Sequence, residues 1–388
     1  MYLAGKRCQK ERERVKICEG NCIQCGACLA VCPQRCIAWR ENPWGEKEPE
    51  IKESECIQCG VCCRRCPSNR TPNAMRPMEV YAAYSLDPEE RKSCSSGGAA
   101  SVFSREMIRR GGVVFGAAFG PGGKVSHRSV SKEDGLQAFK GSKYLQSDLE
   151  GVFPQIKKRL MRDQNVLFIG TPCQIDGLYA FLGGRFERLT TIDFVCHGAP
   201  APVFFQEHLA FLEQKAGKKS DEISFRGENG YCLTLSCQGT SFYQRKKEDD
   251  LYYLAFLSNL ITRDCCLQCP YASTARVSDL TVGDFWGLGE KLPFDGDQKD
   301  GVSLILVNTR KGQRLLEICK KDLFLRKREL EEARRGNKQL QGPPQPHPKR
   351  ELFRKRYIRL GFEQAAARTL PTNWRPFWGK RGGEDTQR

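Results

Sequence analysis

The sequence predicts an α+β protein: a small cysteine-rich N-terminal unit, a mixed α/β core behind it, and a helical C-terminal extension. Three observations lead there. Twelve of the 21 cysteines fall in the first 66 of 388 residues. Between 78 and 325, apolar runs of strand length alternate with amphipathic stretches of helix length. Beyond that, Lys and Arg dominate. The expected divisions are therefore 1–70, 78–325 and 326–388, with the proline-bearing stretch TPNAMRP at 71–77 as a linker.

Composition narrows the class. At 39% apolar and 28% charged residues, the chain reads as globular. A secreted disulfide scaffold is a short chain with cysteines throughout, which this is not. The first residues, MYLAGKRCQK, carry no apolar signal stretch. The longest apolar run, near 113–119, is broken by glycine and far short of the ~20 residues that a membrane helix needs. The expected location is the cytoplasm, where thiols stay reduced and clustered cysteines mean metal or redox chemistry.

In chain order, apolar runs predict strands at 112–119, 165–169, 191–195, 232–237 and 302–307. Amphipathic spacing predicts helices near 99–110, 150–162, 174–182, 203–215 and 311–323. The run GPPQPHP marks 336–348 as a loop, and a helix from about 350 to 367 and a polar tail follow. The net charge is +17, and residues 310–388 hold 22 Lys/Arg against 9 Asp/Glu. That basic end is either a solvated helical face or a dock for an acidic partner. Aromatics interleave with its charges (Phe353, Tyr357, Phe362, Trp374, Phe377, Trp378). From 352 to 362 they follow helical spacing, which marks packing onto a core and disfavours nucleic-acid binding.

The N-terminal unit is an internal repeat. NCIQCGACLAVCP at 21–33 recurs as ECIQCGVCCRRCP at 55–67. Cys22, Cys25, Cys28 and Cys32 have the spacing C-x2-C-x2-C-x3-C-P, and Cys56, Cys59, Cys62 and Cys66 repeat it. This is the bacterial ferredoxin run, in which three cysteines wrap one 4Fe–4S cluster and the fourth reaches the other. One cluster should take Cys22, Cys25, Cys28 and Cys66, the second Cys56, Cys59, Cys62 and Cys32. Gly26 and Gly60 allow close backbone approach. Zinc modules do not use this spacing twice with a following proline. Cys8, Cys18, Cys36 and Cys63 are left as ordinary thiols.

Five motifs mark the core. SCSSGGAASVF at 93–103 runs from serines and a Gly-Gly pair into a helix, whose first N–H groups suit a phosphate. GSKYLQS places Lys143 in a turn. GTPCQIDG puts Thr171 and Cys173 at a strand end opening a helix, the crevice where α/β sheets bind ligands. DFVCHG puts Cys196 and His197 at another strand end. RDCCLQCPYASTARVSDLTVGDFWG carries Cys266-x-x-Cys269, Arg276 and Asp284. Four thiols from three places suit a third 4Fe–4S cluster or a structural zinc.

Together, SSGG, GSKY, GTPCQ, CHG, CxxC and R-x-x-D-x-T-x-GDFWG resemble the coenzyme F420 hydrogenase/dehydrogenase beta-subunit family, in order, over nearly the whole chain. The likeness is to bacterial members with a fused N-terminal 2×(4Fe–4S) ferredoxin domain, often associated with polysaccharide biosynthesis loci. The resemblance implies a flavin-binding core with FAD and a third cluster beside it. By position, Cys173, Cys196, Cys266 and Cys269 would be the ligands, with Cys265 the rival of Cys266. Ser95, Ser96, Gly97, Gly98 and Lys143 would hold the flavin phosphates, with Thr171 also at the cofactor. Arg276 and Asp284 would line the flavin or substrate side. Cys94 departs from the polar residue usual before the turn.

The expected activity follows from electron counting. Clusters pass one electron at a time, most carbon substrates take two, and a flavin does both. The expectation is an oxidoreductase passing electrons between a ferredoxin or another redox protein and a small-molecule substrate, either coenzyme F420 or another. His197 is a candidate proton donor or a structural hydrogen-bond donor, and Lys143 a candidate for stabilising negative charge. The alternative is a non-catalytic electron-transfer subunit feeding a partner enzyme.

Overall fold

The computed structural model describes residues 17–18, 21–227 and 230–370. Cys8, Trp374, Phe377, Trp378 and the polar tail lie outside them. The strands are β1 (Ile37–Glu41), β2 (Lys47–Ile51), β3 (Glu79–Ser85), β4 (Val113–Phe119), β5 (Val125–Val130), β6 (Val166–Gly170), β7 (Leu189–Phe194), β8 (Glu222–Gly227), β9 (Gly230–Cys237), β10 (Thr240–Lys246), β11 (Leu280–Asp284), β12 (Ser303–Val307) and β13 (Leu323–Lys327). β1 and β2 form a hairpin between the two cysteine motifs.

The large sheet has the order β13-β3-β12-β11-β7-β6-β4-β5. Its centre is parallel: β4 with β6, β6 with β7, and β7 with β11. Its flanks are antiparallel. Parallel strands covered on both faces read as continuous apolar runs, which is why Val-Leu-Phe-Ile-Gly forms β6. The equally apolar Ser-Leu-Ile-Leu-Val forms β12, buried along its whole length. Helix Pro172–Leu182 crosses from β6 to β7. It opens with Pro at its first turn and a capping box between Thr171 and Gln174, and it stops at Gly183 with φ 88°. The C-terminal ends of β6, β7 and β11 therefore lie side by side, with Gly170 opposite Asp193 and Val282 opposite Phe194. This edge positions the site.

A second sheet, β10-β9-β8, is antiparallel. It shares one core with helices Pro202–Ala216, Leu251–Leu257 and Arg350–Ala367. Phe353 and Phe362 are buried there, and Tyr357 meets Phe204 edge-on at 5.0 Å. The helical spacing of these aromatics thus marks packing, as the sequence indicated. Gly361, at φ 69°, kinks the helix.

Strands 113–119, 166–170, 189–194, 230–237 and 303–307 lie where apolar runs placed them. The helix expected at 311–323 ends at Cys319, and β13 follows across the boundary drawn at 325. β1, β2, β3, β5, β8, β10, β11 and β13 lie outside the expected strands; in β1, β2, β5, β8, β10 and β11 polar or charged residues interrupt the apolar ones, whereas β3 and β13 carry only short apolar runs. Among the described residues, no helix is long and apolar enough to cross a membrane.

Candidate redox site

Both cysteine loops are built on the same backbone. Gln24 and Gly26 in the first, and Gln58 and Gly60 in the second, have φ of 57°, 76°, 55° and 67°. This left-handed turn brings the N–H of Gln24 to 3.4 Å from Cys22 Sγ, and the N–H of Gln58 to 3.4 Å from Cys56 Sγ. Short helices Ala27–Val31 and Val61–Arg64 follow, with Cys28 and Cys62 in their first turns. Cys66 lies within electrostatic reach of Cys22, Cys25 and Cys28. Cys32 instead lines a small cavity of about 20 Å³ with Cys56, Cys59 and Cys62. The fourth cysteine of each motif thus sits with the other motif. Two thiols with no expected role join these sets: Cys18 Sγ is 3.3 Å from Cys66 Sγ, and Cys36 Sγ is 3.5 Å from Cys32 Sγ. Burial pushes the Cys28 thiol up to about 12, whereas the hydrogen bond from Cys18 brings Cys66 down to about 6.

The first loop docks on the core. Ile23, Cys25 and Ala27 share an apolar cluster with Phe153, Ile175 and Leu178. Gly177, on helix Pro172–Leu182, faces Cys25 so closely that an added Cβ would lie 2.5 Å from Cys25 Cβ. Cys173 sits one turn earlier on that helix.

The core contributes four further thiols. Cys173 follows β6, Cys196 follows β7, and Cys266 and Cys269 come from the segment after helix Leu251–Leu257. They lie within electrostatic reach of one another: Cys173 feels Cys269 and Cys266, and Cys196 feels Cys266, Cys173 and Cys269. Burial raises Cys173 to about 12 and raises Cys196 as well. The hydrogen bond from Cys265 holds Cys266 down at about 5. Thr171 Oγ1 is 3.0 Å from Cys173 Sγ. Among the described residues, no three His, Cys, Asp or Glu side chains form a group suited to holding a metal ion.

The same strand ends line a cavity of about 330 Å³. Ser95, Ser96 and Gly98 form one wall, and Thr171, Cys196, His197 and Asp284 another. Helix Ala99–Arg109 starts at this wall, behind Gly98 (φ 84°), with no side-chain cap on its first N–H groups. Gly97 is not in the wall. It is wedged between strands, where an added Cβ would lie 2.4 Å from the Ala83 carbonyl oxygen. Lys143 lines the cavity, but its ammonium donates to the carbonyls of Ala138, Phe139, Lys140 and Gly141 at 2.8–3.2 Å. Burial lowers its pKa to about 7. It ties down the end of the preceding turn, where carbonyls are exposed.

Arg276 differs from expectation. It is buried away from the cavity wall and pairs with Asp193 at 2.9 Å, while also donating to the carbonyls of Tyr271 and Ser273. Neutralising a carboxylate on a central strand occupies it. Asp284 does reach the cavity and accepts from Tyr231 at 3.1 Å, with Arg226 at 2.9 Å. Desolvation lowers the pKa of His197 below the ordinary histidine value. Sequence reasoning missed Arg226, which also donates to Tyr144 Oη and to the Ser95 carbonyl, both at 2.6 Å. It also missed His127, whose ring meets the Ile169 carbonyl at 2.9 Å and Ser147 Oγ at 3.0 Å.

Residues 163–333 match the family model for the C terminus of the coenzyme F420 hydrogenase/dehydrogenase beta subunit, and residues 21–70 match that for the 4Fe-4S dicluster domain. Residues 163–333 thus carry the C-terminal domain of that beta-subunit family, with a 4Fe–4S dicluster domain ahead of it at 21–70. The chain is an oxidoreductase-type iron–sulfur protein. Of the solved structures, one of the F420-reducing [NiFe] hydrogenase complex from Methanosarcina barkeri, xenon-derivatised, is 15% identical with a TM-score of 0.45. The match covers 76% of this chain and 92% of that one. No curated protein matches.

Proposed function

We propose that the chain is a flavin-dependent oxidoreductase that passes electrons between a ferredoxin-type donor and a two-electron substrate, coenzyme F420 or another. The supporting observation is a shared wall. Cys196 belongs to the core thiol set and also lines the 330 Å³ cavity. Thiols within electrostatic reach of one another therefore adjoin a space within the usual volume range of small-molecule sites, roughly 300–1,000 Å³.

The cavity residues fit FAD. The uncapped N–H groups of Ala99 and Ala100, with Ser95, Ser96 and Gly98, would take the phosphates. Thr171 would lie at the same cofactor. FAD held there exchanges single electrons with iron–sulfur centres and electron pairs with a substrate. His197, with its lowered pKa, is neutral at neutral pH and available to move a proton. Arg226 orients Asp284 and the Ser95 carbonyl, joining the two walls. Cys173, Cys196, Cys266 and Cys269 would hold the third cluster, and the two N-terminal sets the others. A donor protein would dock over the second loop, where Cys59 and Ile57 are exposed.

The test is to purify the chain without oxygen and determine iron, sulfide and flavin. About twelve iron per chain and one flavin support the reading. Zinc at the core thiols without flavin overturns it. Reduced ferredoxin with coenzyme F420 then decides the substrate: no turnover from a reducible flavin means another acceptor.

A further inference from the structure

Arg263 is among the largest fully buried side chains of the molecule, at 2% exposure. Its hydrogen bonds go to three different parts of the site. Nε donates to the Ala199 carbonyl at 2.9 Å, just after the strand-end Cys196. Nη1 donates to Gln24 Oε1 at 2.8 Å, inside the first cysteine loop. Nη2 lies 3.6 Å from Cys266 Sγ, in the core set. Cys22 and Cys173 also feel its charge.

A buried cation without a counter-charge is costly. Glu46 is close enough for its field to reach Arg263, but it is itself held by Arg354 at 3.4 Å and Arg350 at 3.6 Å. The hydrogen-bond partners of Arg263 are two neutral oxygens and one sulfur. The groups whose negative charge can act on it are therefore the sulfurs of Cys265, Cys266 and Cys173, with Glu46 behind them. A cluster with four thiolates is anionic and becomes more so on reduction, and its potential rises with nearby positive charge and with hydrogen bonds to sulfur. Arg263 supplies both to Cys266 while holding the first loop by Gln24.

We propose that Arg263 is a positioning residue that fixes the first N-terminal cluster loop against the core thiol set and raises the reduction potential of the core centre, so that electrons move inward. This rests on the reading that the four core thiols hold a cluster. Iron analysis of the unaltered chain tests that reading separately: about eight iron instead of about twelve defeats it without involving Arg263.

The experiment is an anaerobic redox titration, followed by electron paramagnetic resonance, of the full iron-loaded chain and of Arg263→Gln and Arg263→Lys. Arg263→Gln removes the charge at similar length. It should shift the electron distribution away from the core centre about tenfold, a drop of about 59 mV for one electron, with iron content intact. Arg263→Lys keeps the charge and should retain most of the potential. An unchanged midpoint in Arg263→Gln overturns the proposal, as does an equal drop in Arg263→Lys. If Arg263→Gln does not load, a fully loaded Arg263→Lys with an unshifted midpoint supports it. Iron loss from both variants overturns it, because a residue needed only for assembly behaves that way.

Discussion

The two cysteine loops are near copies that meet different surroundings. Cys-Ile-Gln-Cys-Gly occurs in both, with the same left-handed Gln and Gly and the same 3.4 Å contact from the Gln N–H to the first cysteine. Ile23 is 8% exposed, packed against the core, whereas Ile57 is 60% exposed. Cys25 is buried and Cys59 is exposed. Loop shape is thus a local property of the repeat, and what each loop faces is decided by what packs on it. The first loop is the inner terminal of the unit and the second the outer one.

The largest break in this comparison comes from placing one charge at the two equivalent isoleucines. Ile23→Asp leaves an unpaired carboxylate among Phe153, Ile175 and Leu178 and should cost about 3 kcal/mol. Ile57→Asp changes an exposed side chain and should stay within about 0.5 kcal/mol. Its effect should appear instead as weaker coupling to a reduced ferredoxin donor, read as a raised donor KM. Thermal unfolding of both loaded variants checks the pair; equal melting losses would mean that the first loop is not docked.

A smaller effect separates the glutamines. Gln24→Ala removes an acceptor from a buried guanidinium, worth about 1.5 kcal/mol or slightly more. Gln58→Ala removes an exposed side chain. Both positions have nearly the same positive φ, so the backbone cost of Ala there is shared and cancels. The stability difference between the two variants therefore isolates the contact to Arg263. A difference near zero in denaturant unfolding would show that this contact does not hold the loop.

The cysteine sets were legible because ligand spacing in a loop is a local geometric code, and the fourth-cysteine crossover comes with it. The strand-end positions of Cys173 and Cys196 were legible because the apolar runs before them, NVLFI and TTIDFV, can only be buried strands in this order. Arg226 was not, because it comes from the second sheet and reaches the cavity through a fold-level contact with Ser95 and Tyr144. Arg276 was misread because the motif R-x-x-D shows which residues recur together, not which partner each takes; Asp193, 83 positions away, takes this one. The sequence also could not separate Ile23 from Ile57, since their neighbours along the chain are nearly identical.

The smallest expected effect tests how tightly the inner loop is held, because two terms oppose each other. Gly177→Ala lies inside helix Pro172–Leu182, where Ala is favoured over Gly by about 1 kcal/mol. The new methyl would meet Cys25 Cβ at 2.5 Å and Sγ at 2.9 Å, and such overpacking costs about 1–3 kcal/mol. The net is a loss of about 1 kcal/mol if the loop cannot retreat. With iron bound, Cys25 cannot rotate its sulfur aside. The loss should therefore appear in the loaded chain and shrink once iron is removed by a chelator, where the helix-propensity gain remains. Chelator release of iron from the first loop should also speed up towards that of the second. A variant more stable than the parent in both states would mean that the inner loop yields freely, and the two loops would then differ only in exposure.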